Sequence, residues 1–371
     1  MQRTGVAELP LHHGRAPQWL VTRMIKLAHE ITTIIIDEHG KDEFLRRVSD
    51  PYWFQALGCV LGYDWHSSGV TTVLTGVLKN AIKPDEHGLA VCGGKGKTSR
   101  KTPDEINDVA NQFSLTTNKI EALQYASRMS AKVDNAAIQA GYQLYHHAFF
   151  LTENGTWAVV QQGMSDQDRT ARRYHWLSEH VQSFVVEPHD AIVGDAKREN
   201  VLNMTAKESE NCRKASADLA KERPEKFIRM LESVRPVTQP SLQKWMPQPE
   251  MKNYLVEEFS MPKTLNWKLA RKLYETQPDN YEQLLGIRGV GPATVRGLAL
   301  VAELVYGTPP SWKDPVKYSF AYGGKDGVPF PVDREAMDKS TQILKNAVEN
   351  AKIGNNEKLR SLRRLQKYCS T

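Results

Sequence analysis

Two short stretches concentrate side chains that move protons or attack electrophiles. Asp64-Trp65-His66-Ser67-Ser68 sets a carboxylate, an indole, an imidazole and two hydroxyls between Gly62 and Gly69. Such density in one loop suits an active-site segment in which Trp65 stacks on a base while Asp64 or His66 handles a proton. The plain alternative is a helix cap by Asp64 or Ser67 beside a core tryptophan. Lys132 and Asp134, two apart in Ala-Lys-Val-Asp-Asn, form the second stretch. A lysine near a carboxylate becomes an amine nucleophile when burial lowers its pKa, the chemistry that opens abasic sugars through a Schiff base. As a solvated pair capping a helix, the same two residues need no chemistry. Asp64, His66, His146, His147, Glu187, His189 and Asp190 are also the ligand types of a divalent-metal nuclease, in the groupings DxH, HH and ExHD. None has the i, i+4 spacing that puts two ligands on one helix face. No metal ligand set is therefore assigned, and a divalent metal is expected only if the chain is such a nuclease.

Phosphate recognition has two candidate segments. Gly96-Lys97-Thr98 reproduces the end of a phosphate loop, but Val91 stands where the opening glycine belongs, which disfavours a nucleotide-hydrolysing loop. What remains after the strand Leu89 to Cys92 is a cationic loop whose Lys95, Lys97 and Arg100 suit nucleic-acid phosphates, or an ordinary surface connection. The second segment is Leu284 to Gly307, LLGIRGVGPATVRGLALVAELVYG. Gly289 and Gly291 lack a Cβ, can take positive φ and let the backbone approach another molecule. Pro292 suits the first turn of a new helix, because its missing N–H has no helical partner there. Free N–H groups, the helix dipole and the glycine turn together make a place for an anionic oxygen. Val295, Leu298, Ala299, Ala302 and Val305 recur at three- and four-residue steps, the face packed on the preceding helix, which leaves Arg296 for a second phosphate. An αα-hairpin with a glycine turn and no ligand is the alternative.

The order Ile287, Gly289, Val290, Gly291, Pro292, Thr294 resembles the helix-hairpin-helix of DNA repair proteins, a clamp on the phosphate backbone that is indifferent to base sequence. The resemblance implies a DNA partner contacted by Gly289, Val290, Gly291, Pro292, Thr294 and Arg296. In base-excision glycosylases built on this motif, a Val-Asp follows the hairpin, and its carboxylate stabilises the cationic sugar as the base departs. Asp333, in Pro331-Val332-Asp333-Arg334, resembles that aspartate, at a longer interval than in the family; it is equally placed to cap a helix from Glu335. Ala293 occupies the place of the nucleophilic lysine of bifunctional members, so a lyase step needs another lysine. Over nearly its whole length, through LPLHHGRAP, DPYWFQALG, DWHSSGVTT, GGKGKTSR, AKVDNAA, ARRYHW and GGKDGVPFPVDR, the chain resembles an archaeal and bacterial family known as a domain of unknown function, DUF763. That resemblance ties both halves together and brings no established activity. The expected function is a lesion-directed DNA glycosylase, with or without an abasic-site lyase step, acting on oxidised or deaminated bases. A metal-dependent DNA nuclease and a non-catalytic DNA-binding protein are the alternatives.

The elements that must position these residues are legible in outline. A chain of 371 residues, 40% hydrophobic and 25% charged, buries real cores and is expected to form two domains. The expected architecture is α+β: a mixed domain over residues 1–200, with the candidate chemistry, and a mainly helical, DNA-binding domain over 201–371 carrying the helix-hairpin-helix. Helices are expected over Trp19 to His39, over Lys41 to Val48, from Thr102 with a Thr102-Pro103-Glu105 capping box, and from Leu123 to about His147. Phe149 to Leu151 and Trp157 to Gln161, joined by Thr152-Glu153-Asn154-Gly155, read as a β-hairpin. The formal charge of +6 fits a polyanionic partner. Basic residues gather at Lys95 to Lys101, at Arg169, Arg172 and Arg173, and along Lys358, Arg360, Arg363, Arg364 and Lys367, each cluster reading equally well as a solvated face. Cys59, Cys92, Cys212 and Cys369 show no metal-finger or disulfide spacing, and no apolar stretch is long enough for a signal core or a membrane span. A cytoplasmic, nucleoid-associated protein without membrane contact is expected.

Overall fold

A computed structural model describes residues 16–63, 68–167, 169–194, 197–233, 267–316 and 334–370. Asp64, Trp65, His66 and Asp333 lie outside the described residues. The chain opens with three helices, α1 (Gln18–His39), α2 (Lys41–Ser49) and α3 (Pro51–Leu61). Gly40 separates the first two at φ +86, a backbone state that side chains resist. Asp50 caps α3 by accepting from Tyr52 N at 2.8 Å, and Pro51 fills its first position. After α4 (Ser68–Ala81) and the single turn α5 (Pro84–His87) comes β1 (Leu89–Lys95), which runs three residues past the expected Cys92.

A 3₁₀ turn over Gly96–Lys101 leads into α6 (Thr102–Gln112), followed by α7 (Thr117–Lys132) and a π-helical turn over Val133–Ala137. The helix start at Thr102 is where the sequence places it, but the capping box does not form. Thr102 Oγ1 donates to Ser99 O at 2.7 Å, and Glu105 reaches β1 instead, accepting from Gly93 N at 2.7 Å and from Lys79 Nζ at 2.6 Å. The helix expected to continue to His147 stops at Lys132. Beyond it lie β2 (Ile138–Gln139) and β3 (Gln143–Thr152), because His146 to Leu151 alternate between two cores that only an extended segment can serve at once.

β3 pairs with β1 and with β4 (Trp157–Ser165), and the sheet continues through β5 (Thr170–Leu177) to β6 (Ala191–Val193). The order is β1-β3-β4-β5-β6, antiparallel throughout, with a separate ribbon of β2 and β7 (Leu202–Asn203). The β3–β4 turn forms as expected, with Gly155 alone in the positive-φ state at +77. On one face Ala148, Phe150, Ala158 and Val160 meet α1 to α4, joined by α13 (Arg334–Asn350) and α14 (Asn355–Ser370) through Leu344, Val348 and Leu365. On the other face Phe149, Val159, Tyr174 and Trp176 meet α6 and α7, with α8 (Glu210–Ala220), α9 (Pro224–Ser233), α10 (Trp267–Thr276), α11 (Tyr281–Gly286) and α12 (Pro292–Tyr306). Both cores therefore draw on residues from either side of position 200.

Candidate nucleic-acid interface

The glycine turn is built from its two anchors outward. Asn280 caps α11 by accepting from Gln283 N at 2.9 Å, and Leu284 and Leu285 sink into the core. Ile287 and Val290 are buried, Arg288 and Gly289 exposed, and the bond from Val290 N to Ile287 O at 3.1 Å closes the turn. Gly289 holds φ +108 and needs to be glycine. Gly291, at φ −143 and ψ −172, does not, since this is ordinary extended backbone. A Cβ at Gly291 would meet nothing within 4 Å, so the surface beside it is open. Pro292 starts α12 at its first position, as the sequence requires. Val295, Leu298, Ala299 and Ala302 form its buried face. Val305, expected on that face, is 52% exposed, in a last turn where Leu304 and Tyr306 are exposed as well.

Lys132 supplies the unexpected part of this site. It ends α7, and its Nζ donates to the carbonyls of Val290 and of Ile287, the latter at 3.3 Å. Lys272 Nζ donates to Arg288 O at 3.2 Å. Burial, and secondarily the charge of Lys272, lower the Lys132 pKa from its ordinary value. Gln139 completes the support, donating to Pro292 O and Ala136 O at 2.9 Å each and accepting from Arg296 Nη1 at 3.1 Å. Arg296, expected to stand free for a phosphate, is instead half-buried and engaged with Gln139, because its helix lies against the β2 segment. With the turn's carbonyls drawn onto ammonium groups, the N–H groups of Gly289, Gly291, Ala293 and Thr294 meet no acceptor among the described residues.

The second basic feature lies at the same end of the sheet. Lys95 pairs with His146 near the start of β3, Leu144 N donates to Asn135 Oδ1 at 3.3 Å, and Asn135 follows Lys132 by one turn. Lys95, Lys97 and Arg100 are exposed, with Lys95 Nζ 5.8 Å from the Tyr145 ring centre. Gly93 allows this path, because a Cβ there would meet His147 O at 2.3 Å. The expected loop is thus a strand end and a 3₁₀ turn carrying the expected cations.

Other candidate residues are dispersed. Asp134 is neither beside Lys132 nor solvated: at 1% exposure it accepts from Trp176 Nε1 at 3.0 Å, from Gln161 Nε2 and from His189 Nε2. The network runs on through Gln161 Oε1 to His147 Nδ1 at 2.6 Å and from His147 Nε2 to Ser127 Oγ at 2.9 Å. These bonds make Asp134 a buried acceptor for three side chains inside the core. His146 and His147, adjacent in a strand, face opposite cores, His146 bonding Thr75 Oγ1 at 2.8 Å. Burial lowers both imidazoles, His146 to about 3, so both stay neutral. His189 joins Asp134, Asp190 joins His180, and Glu187 reaches Lys207 at 3.4 Å, which separates the expected nuclease ligands. Arg172 and Arg173 are no surface patch either. Arg172 is 0% exposed and grips Asp314 with bonds of 3.0 and 2.8 Å, while Arg173 stacks 4.7 Å from the Phe54 ring centre and donates to His175. Arg364 is spent partly on packing, donating to Val60 O at 2.9 Å. One group was invisible to spacing: His29, Glu86 and His87 bring ring nitrogens and a carboxylate oxygen within 4.8 Å of one another. Only the Glu86-His87 adjacency was there to read.

A five-stranded antiparallel sheet covered on both faces by helices, with a cation-backed glycine turn at one end, defines an α+β protein. The chain belongs to the family described as protein of unknown function (DUF763), which matches residues 5–332. No curated protein and no solved structure matches the chain. Among the described residues no helix is long and apolar enough to cross a membrane.

Proposed function

We propose that this is a DNA-processing protein that holds the phosphodiester backbone at the Ile287 to Thr294 turn, without reading base sequence. The observation that carries the proposal is the cation-backed turn. Lys132 and Lys272 occupy the carbonyls of Ile287, Arg288 and Val290, and the N–H groups of Gly289, Gly291, Ala293 and Thr294 are left for an anion. N–H groups at a helix N-terminus favour anionic oxygen, and ammonium groups behind them add to that field. Lys95, Lys97 and Arg100 extend the basic end of the sheet along a bound strand. Anisotropy titration with short labelled duplexes tests the proposal: affinity independent of sequence and falling linearly in log–log plots against salt is expected. No binding at low salt overturns it.

One observation favours base excision with a lyase step over the other chemistries. Lys132 is an amine at the clamp, half-buried, with its proton affinity lowered by burial and by Lys272. Released from the two carbonyls, the neutral amine adds to the C1′ aldehyde of an abasic sugar, water leaves, and the iminium formed is reducible by borohydride. Asp64, His66 and Asp333 remain the proposed proton-handling and cation-stabilising groups. Incubation with duplexes carrying oxidised or deaminated bases, then borohydride, should yield a covalent adduct that Lys132→Met abolishes. An adduct undiminished in Lys132→Met places the amine elsewhere, and EDTA-sensitive cutting of undamaged duplex would instead mark the nuclease alternative.

A further inference from the structure

We propose that His29, Glu86 and His87 bind a divalent transition-metal ion of the zinc class where α1 meets α5. The two imidazoles meet edge to face, with centroids 5.1 Å apart and planes at 80°, and the donor atoms of the three residues lie within 4.8 Å of one another. Hydrogen bonding decides which nitrogen is available. His29 Nδ1 stands 3.0 Å from Ala81 O, a carbonyl with no hydrogen to give, so Nδ1 carries the proton and Nε2 the lone pair. That lone pair faces Glu86 Oε1 at 3.3 Å. With His29 neutral, two acceptors oppose each other and a cation between them removes the repulsion. Two ligands at 2.0–2.1 Å from a tetrahedral ion stand roughly 3.3 Å apart, so this pair already has the required separation.

His87 is arranged differently. Its Nδ1 accepts from Lys83 N at 2.9 Å and lies 3.2 Å from Lys83 O, so without an ion its Nε2 carries the proton and lies 3.0 Å from Thr33 Oγ1, which donates to His29 O at 2.9 Å. Ion binding therefore moves the His87 proton from Nε2 to Nδ1, toward Lys83 O, gives up the bond from Lys83 N and frees Nε2 for the metal. Histidines that bind metals donate their second ring N–H to a carbonyl or carboxylate, which fixes both tautomer and ring. His29 has the Ala81 carbonyl in that place, and His87 has Lys83 O within reach of it. Pro84 at the start of α5 and left-handed Gly88 after it hold Glu86 and His87 in one rigid turn. Two imidazoles and one carboxylate suit zinc and its neighbours better than magnesium or calcium, which prefer all-oxygen shells. A fourth position falls to water or a small anion, since His29 lines a pocket of about 290 Å³ with Lys26, Glu30, Asn80 and Lys83.

The site is independent of the proposed DNA clamp, and its test reads the ion directly. Full-length, tag-free protein is stripped with chelator and titrated with Co²⁺, whose absorption reports coordination, then with Zn²⁺ by calorimetry. One equivalent of tightly bound Zn²⁺, displacing cobalt, is expected. His29→Gln and Glu86→Gln, at partly buried and exposed positions outside the core, should each weaken binding about tenfold or more with unchanged circular dichroism. No uptake overturns the proposal in favour of a protonated His29 paired with Glu86. Uptake that neither variant weakens overturns it equally, by placing the ion elsewhere in the chain.

Discussion

Gly291→Asp separates an anion site from an ordinary helical turn. Gly291 is the N-cap of α12, in extended backbone, with nothing within 4 Å of an added Cβ. Aspartate is a preferred N-cap and is stabilised by the helix dipole, so the variant should be at least as stable as the parent. Its carboxylate would stand where the proposed clamp holds a phosphate oxygen. At a separation of roughly 5 Å and an effective dielectric constant between about 20 and 80, the repulsion is about 1–3 kcal/mol, or roughly a 5- to 150-fold loss of affinity. The assay is duplex anisotropy at low salt, beside thermal melts of the same samples. Gly291→Ala should bind like the parent, and Gly291→Lys should bind more tightly. Gly289→Ala is the contrasting control: φ +108 and Leu269 Cδ1 at 3.2 Å from the new Cβ should lower stability by about 1–2 kcal/mol. If Gly291→Asp melts normally and binds duplex as tightly as the parent, the turn is not a phosphate site.

Lys132→Met leaves the carbonyls of Ile287 and Val290 without their ammonium, so both the melting temperature and duplex affinity should fall, whereas Lys272→Met, at a single exposed bond, should affect stability less. Asp314→Ala strands the buried Arg172 charge and should cost about 3–5 kcal/mol in urea unfolding; a loss below about 1 kcal/mol would contradict the buried pair. Asp134→Ala removes the acceptor shared by His189, Gln161 and Trp176, and should lower stability by several kcal/mol without altering the affinity of the folded fraction for duplex. His146, His147 and His175 are held neutral by burial, with folded pKa values below the unfolded value near 6.5. Their contribution is complete above pH 6.5 and is lost as pH falls, down to about 3 for His146, at up to about 1.4 kcal/mol per pH unit for each residue. Urea midpoints unchanged between pH 7 and pH 4 would refute that account.

Much of the backbone was legible because its signals are local. Gly40 between two amphipathic helices, Pro51 behind Asp50, the Thr152 to Gly155 turn and Pro292 after the glycines all mark boundaries through φ preferences and missing N–H groups, which act within a few residues. The helix expected through His147 fails where helical composition gives way to the demands of two cores on opposite faces of one strand. Side-chain roles were less legible. Arg172 and Arg173 look like Arg169 in composition, yet the first two are buried and the third is exposed. What separates them is Asp314 and Phe54, more than a hundred residues away in each direction.

By itself, the sequence determined the first two helices, the helix start at Thr102, the β3–β4 turn and the glycine turn with its proline, together with membership of the family. Tertiary structure alone decided that Lys132 backs that turn, that Asp134 is buried against His189, and that His29 meets Glu86 and His87. Turns and helix starts depend on the conformational limits of neighbouring residues. The protonation and availability of a side chain depend instead on desolvation and on partners that chain folding brings from distant positions.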